Sequence, residues 1–335
     1  MTAFNSLLHP VRINSRITIP GNLFLAPMAG FTDAPFRHIC IANGSDLCWT
    51  EMVSCEALSR ESLKTKKILI RAENEKIYAV QVFCSTPESA AAALKHILPF
   101  EPFLIDLNCG CPVPKIIKSG AGSALMKNPQ RIMNIVKALS DSTDIPVTVK
   151  LRSGWDAESI NYLKAAEYAV RGGAQMITLH PRTKTQGYAG KADWEKIRLL
   201  KAETDVPVIG SGDLFSPSAC LEMLKITGCD GVMAARGAVG QPEIFKNTKL
   251  LAETGELKET LFSEKIKNAI EHLELAFKYI DGKVAVNEIK KHLCSYIKGI
   301  PGSAAIRNRI VHCNSFDEYK SVLGEIEEQI TRPMP

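Results

Sequence analysis

Short runs of apolar and β-branched residues recur along the chain, at residues 21–30, 46–51, 77–83, 104–109, 145–151, 175–180, 206–210 and 230–234. Each gives way to glycine, proline or polar residues, as a buried strand does where it leaves a sheet and turns. The stretches between them have helical composition, most plainly Pro87-Glu88-Ser89-Ala90-Ala91-Ala92-Ala93-Leu94-Lys95. Strand and helix alternating over about 230 residues predict a parallel sheet, and eight repeats predict its closure into a (β/α)8 barrel. An open doubly wound sheet is the alternative, but no Gly-x-Gly-x-x-Gly follows the first run.

Near residue 245 the period changes. Ile266, Ile270, Leu273 and Phe277 stand at helical spacing behind Ser263, a candidate cap. A second helix, over about residues 286–298, buries Ile289, Leu293 and Ile297. The chain thus divides into a barrel, residues 1–245, and a C-terminal helical domain, residues 246–335.

Composition narrows the class. At 335 residues and 45% hydrophobic, the chain can bury a large core. No window approaches the roughly 20 apolar residues of a membrane span, and the N-terminus lacks the order of a signal peptide. The 10 cysteines are scattered singly, which suits a reducing compartment, and the cytoplasm is the expected location. Net charge is +5, modest for a nucleic-acid binder. Its placement says more: Lys278, Lys283, Lys290, Lys291, Lys298, Arg307 and Arg309 against Asp281 and Glu288 give a local excess equal to the whole +5. With Tyr296 among them, Lys290, Lys291, Lys298 and Arg307 suit phosphate contact with base stacking, although a basic helix stripe is also what a merely solvated face looks like.

Polar side chains gather where the strands end: Glu51, Gln81, Asn108, Cys111, Lys150, Arg152, His180 and Arg182. In a parallel barrel those ends share one face, so residues remote in sequence converge there. Asn108-Cys109-Gly110-Cys111-Pro112-Val113-Pro114-Lys115 is the most informative stretch. Cys109, next to the strand, reads as an inert buried thiol. Gly110 and Pro112 hold Cys111 on an open turn, and Pro112 suits the start of a helix. A thiol there can give up a proton near neutral pH, whereas Lys115 would favour the thiolate. No second Cys or His cluster stands at metal-ligand spacing, so no metal is expected. Ser211-Gly212-Asp213 and Ala235-Arg236 follow the seventh and eighth strands, where barrels hold phosphate.

Together these motifs resemble the tRNA-dihydrouridine synthase family, in its bacterial B-type branch, over nearly the whole chain. The likeness runs from Ala26-Pro27-Met28-Ala29-Gly30-Phe31-Thr32-Asp33 to Lys298-Gly299-Ile300-Pro301-Gly302. Asn108-x-Gly110-Cys111-Pro112-x-x-Lys115 is its most specific part. Lys150-x-Arg152-x-Gly154-Trp155, His180-x-Arg182-Thr183 and Ser211-Gly212-Asp213 support it. The resemblance implies an FMN-containing barrel that reduces the uracil C5=C6 bond in tRNA, with NADPH or NADH as reductant. It implies Pro27, Met28 and Ala29 against the flavin, Gln81 and Lys150 on its polar edge, His180 in contact with it, and Ser211, Gly212, Asp213, Ala235 and Arg236 at its phosphate. Cys111 would be the acid, while Asn108, Lys115, Arg152 and Arg182 would meet the uridine and its RNA. Two other functions fit less of the chain. A flavin barrel acting on a small molecule has no need of the basic helices, and a purely RNA-binding barrel has no need of Cys111, Asn108, Lys150 and His180 together.

Overall fold

Period-two alternation settles which way each barrel residue points. The computed structural model describes residues 4–331. Its central strands are β1 (Leu23–Leu25), β2 (Leu47–Cys48), β3 (Ala79–Phe83), β4 (Leu104–Cys109), β5 (Val147–Arg152), β6 (Ile177–His180), β7 (Val208–Ser211) and β8 (Gly231–Ala234). They neighbour one another in that order, all parallel, and β8 returns to pair with β1. Between β2 and β3 the contact is a parallel bridge from Trp49 to Ala79, followed by Val53–Ser54 against Val82 and Phe83. The sheet is closed, and the (β/α)8 architecture stands as expected.

On β4, Ile105, Leu107 and Cys109 join the main core beneath the helices, so Asp106 and Asn108 point into the barrel. On β5, Val147, Val149 and Leu151 do the same, turning Thr148, Lys150 and Arg152 inward. The N-terminal end of the barrel is packed shut. Phe24, Trp49, Leu104, Met176, Ile209 and Met233 form an apolar plug there with Val11, Ile13 and Ile19 of an antiparallel hairpin. The polar layer lies above this plug, toward the C-terminal ends of the strands.

Helix α1 (Ala34–Ala42) begins the outer ring. Asp33 caps it by accepting from Phe36 N–H at 2.9 Å, and Pro35 sits in the first turn, where its missing N–H costs nothing. Pro114, rather than Pro112, opens the short helix Pro114–Lys118 after β4.

The C-terminal helices are α2 (Phe262–Tyr279), α3 (Gly282–Tyr296), α4 (Ser303–His312) and α5 (Phe316–Thr331). They share their own core, which includes Ile266, Leu273, Ile289, Leu293, Tyr296, Ile310, Tyr319 and Leu323. Burying each such leucine or isoleucine is worth about 1.5–3 kcal/mol. Ser263 lies inside α2. The helix start is tied instead by Glu264, whose carboxylate accepts from Leu261 N–H at 3.3 Å. Asp281 caps α3, which starts a turn earlier than its apolar spacing suggested. Ile244, Phe245 and Ala252 of the helix Ile244–Thr254 belong to the barrel core, so the division between the two cores lies past Gly255 and not at residue 245. The domains dock through α1 and α2, where Asn43 donates to Asn268 Oδ1 at 3.2 Å and Asn268 donates to Glu243 at 3.3 Å. Among the described residues no helix is long and apolar enough to cross a membrane.

Candidate active site

A chain of buried amides and carboxylates runs across the mouth of the barrel. Asp106 accepts from Thr148 Oγ1 at 2.6 Å and from Gln81 Nε2 at 2.7 Å. Gln81 Oε1 in turn accepts from Asn108 Nδ2 at 2.8 Å. That fixes the Asn108 amide, so its Oδ1 faces the turn and accepts from Gly110 N–H at 3.2 Å and Cys111 N–H at 2.9 Å. Asn108 is therefore the clamp that sets the Cys111 turn. Burial pushes the Asp106 carboxyl up to about 6, partly offset by its two hydrogen bonds and by Lys150.

Cys109 is sealed in the core, and Cys111 borders the open space. Burial raises the Cys111 thiol, against smaller opposing effects from a Val113 backbone hydrogen bond and from Arg152. The opposition between acid and thiolate thus resolves toward a thiol that keeps its proton at neutral pH. Lys115 is exposed on the outside of the turn and borders none of this space.

Across from Cys111 the wall is cationic. Lys150 is pulled down to about 8 by burial, then by Arg152, with Asp106 opposing. His180 is pushed down to about 2 by burial and by Lys150, Arg152, Arg182 and Arg236, so its ring is neutral. Arg182 Nη1 lies 3.4 Å from His180 Nε2. A guanidinium only donates, so Nε2 accepts and Nδ1 carries the ring proton. Arg182 also grips Asp213 with two bonds of 2.9 and 2.8 Å. Arg152 donates to Gly110 O at 2.8 Å and to the carbonyls of Thr183 and Gly187 at 2.8 and 2.9 Å. Neither arginine is free to meet RNA: they are 3% and 1% exposed and bonded within the protein, bracing the cavity wall.

The loops after β7 and β8 approach as closely as glycine allows. A Cβ on Gly212, whose φ is +116°, would stand 2.9 Å from His180 Cδ2, and one on Gly237 would stand 1.8 Å from Leu214 O. Arg236 rises from this junction under the Tyr188 ring, 4.2 Å from its centroid.

The resulting cavity holds about 510 Å³. It gathers Pro27, Met28, Ala29, Gln81, Asn108, Cys111, Lys150, Arg152, His180, Ser211, Gly212, Asp213, Ala235 and Arg236 from the βα loops of the barrel. Phe31, Met52, Tyr188 and Phe215 also line it and were not anticipated; nothing but their place on these loops could have pointed to them. The candidate RNA residues of the helical domain lie outside it. Lys290 donates to Val311 O at 3.0 Å, Arg307 to Ser303 Oγ at 3.4 Å, and Lys298 is exposed. Lys291 pairs with Glu288 and lies over the Phe31 ring at the cavity mouth. Tyr296 cannot stack on a base: it is fully buried, its hydroxyl 3.2 Å from His272 Nδ1.

The dihydrouridine synthase family model matches residues 24–332. A probable tRNA-dihydrouridine synthase of Treponema pallidum is 42% identical over 96% of this chain and 97% of its own length. The tRNA-dihydrouridine synthase B of Pseudomonas syringae pv. tomato is 33% identical over 87% of this chain and 86% of its own. Among solved structures, a 2-naphthoyl-CoA reductase complex has a TM-score of 0.59 at 11% identity, and the histamine dehydrogenase of Rhizobium sp. 4-9 has 0.59 at 13%. This chain covers 52% and 51% of those two, a likeness of fold alone.

Proposed function

The chain belongs to the dihydrouridine synthase family, in its bacterial B-type branch, and from that premise we propose that it reduces the C5=C6 bond of uridine in tRNA, with FMN as cofactor, NADPH or NADH as reductant and Cys111 as the acid. It would act in the cytoplasm.

The cavity suits FMN by the chemistry of its donors. Lys150, Arg152 and Arg236 line it against Asp213, whose carboxylate burial would raise and Arg182, behind the wall, holds low. That balance favours a phosphate monoester at the small-residue loops after β7 and β8. Pro27, Met28 and Ala29 offer an apolar flank, and Gln81, Lys150 and the Nδ1–H of His180 offer donors for the polar groups of a flavin ring. When bound, FMN supplies the hydride that uracil receives at C6.

The chain itself supplies the rest. The Cys111 thiol gives its proton to C5 and becomes a thiolate, which Arg152, bonded to the Gly110 carbonyl beside it, stabilises. Asn108 holds that turn, and its second Nδ2 hydrogen is left for the uracil. Stacked within a folded RNA, the base is unreachable, so the nucleotide must swing out into the cavity while Lys298 and its basic neighbours hold the RNA backbone.

One observation carries this reading: a protonated thiol, clamped by Asn108, faces a cationic cavity across the strand ends. The test is nucleoside mass spectrometry of unmodified tRNA incubated with the protein, FMN and NADPH, with Cys111→Ala alongside. Dihydrouridine from the native protein and its loss in the variant are expected. No dihydrouridine from flavin-loaded protein and intact tRNA would overturn the assignment.

A further inference from the structure

Three residues far apart in sequence meet where the helical domain docks on the barrel. Asp33 caps α1, His272 lies on α2 and His292 on α3. One ligand atom from each lies within 4.8 Å of the other two. His272 is 0% and His292 1% exposed, yet His272 Nε2 and both ring nitrogens of His292 have no hydrogen-bond partner among the described residues. Their neighbours are aromatic: Phe36 lies 4.9 Å from the His292 ring and 5.6 Å from that of His272, and Phe31 lies 5.4 Å from His292. Buried imidazoles normally satisfy their nitrogens, so three orphans in one apolar cluster call for a partner.

We propose that Asp33, His272 and His292 bind one divalent transition-metal ion of the zinc class, tying the first barrel loop to two helices of the C-terminal domain. Two imidazoles and a carboxylate are a donor set for such an ion, with a fourth position left to water. Asp33 Oδ1 is committed to Phe36 N–H, which leaves Oδ2 for the metal. The Nδ1 of His272 faces the Tyr296 hydroxyl. With the proton on Nδ1, Nε2 turns its lone pair to the cluster, and Tyr296 acts as the outer partner that fixes the ring. Tetrahedral bonds of 2.0–2.2 Å place ligand atoms roughly 3.3–3.6 Å apart, so side-chain shifts of about 1.5 Å or less close the site.

The surrounding charges permit it. Glu51, Arg37 and Lys291 act on Asp33, and Lys291 acts on both histidines. Lys291 and Arg37 oppose a cation, but the Lys291 ammonium is paired with Glu288 and lies over Phe31, and the Arg37 guanidinium is paired with Glu75 at 2.8 Å.

The test uses the full-length, flavin-loaded protein, stripped with chelator and titrated with Co(II) and then Zn(II). The expected result is about one equivalent of Co(II) per chain. Visible d–d bands should appear without cobalt–thiolate charge transfer, and Zn(II) should raise Tm. His292→Ala and His272→Ala should lose the bands, with native circular dichroism and flavin absorbance as the check on folding. Tyr296→Phe, which keeps the packing, should weaken binding about 10–100-fold. Substoichiometric uptake by the native protein overturns the proposal, as does a thiolate spectrum or equal affinity in native protein and Tyr296→Phe; the last two readouts do not depend on the alanine variants folding.

Discussion

Replacing Cys111 by alanine isolates proton delivery from everything else the site does. The sulfur accepts from the Val113 backbone, a bond local to the turn, and the Asn108 clamp acts on the backbone of that turn. Cys111 packs in a small cluster with Ile116 and Ala121, so the variant should lose about 1 kcal/mol of stability and still fold. A positioned general acid is worth about 10²–10⁴-fold, or roughly 2.7–5.5 kcal/mol at 1.36 kcal/mol per decade. Because burial raises the thiol, it is a weaker donor than an ordinary cysteine, which places the expected loss near the lower end, about 10²–10³-fold. The assay is stopped-flow reoxidation of the reduced protein by tRNA, with reduction by NADPH as the control that should change less than about twofold. In the proposed mechanism the reactive form is the protonated thiol. Its rate should hold level through neutral pH and fall only as pH rises past the ordinary thiol value of about 8.5, and Cys111→Ala should lack that fall. A variant reoxidised within about threefold of the native rate would refute the assignment of Cys111 as the acid.

Lys150 is a cation that burial opposes, its pKa lowered to about 8. The native state binds fewer protons than the unfolded chain between about 8 and 10.5, so this group makes stability rise with pH across that window and costs about 3 kcal/mol at pH 7. Lys150→Met should raise the Tm of the flavin-free protein while lowering flavin retention on gel filtration; an unchanged or lower Tm would count against the burial argument. Gly237→Ala places a methyl 1.8 Å from Leu214 O, so the two loops must part. Weaker FMN binding and a stability loss of about 1–3 kcal/mol are expected, and unaltered flavin titration would show that the junction does not hold the phosphate. Lys298→Ala should weaken tRNA binding and flatten the plot of log affinity against log salt by roughly 0.7–0.9, the share of one phosphate contact; an unchanged slope would remove Lys298 from the interface.

The barrel was legible because each strand carries its own period and its own break, and because strand ends in a parallel barrel share one face. The polar network behind the site was not. Asp106 is a single carboxylate inside an apolar run, and only the fold brings Thr148 and Gln81 to its two oxygens. Arg152 and Arg182 look free in sequence because their acceptors are backbone carbonyls and Asp213, all remote or conformational. Tyr296 could have been read correctly: it falls three residues after Leu293 and seven after Ile289, on the apolar face of its helix and not on the basic one. His272 and His292 occupy the same kind of buried position on α2 and α3, and no linear spacing rule joins them to Asp33.

The apolar plug at the foot of the barrel has a kinetic meaning. With Phe24, Trp49, Leu104 and Met233 filling that end, the described residues leave the cavity to exchange through its upper mouth. On the proposed function a nicotinamide and an extruded uridine would both need that mouth, and about 510 Å³ shared with a flavin would leave room for one visitor at a time. The two substrates of that reaction would then alternate, the first leaving before the second enters, with the electrons held on the cofactor between visits.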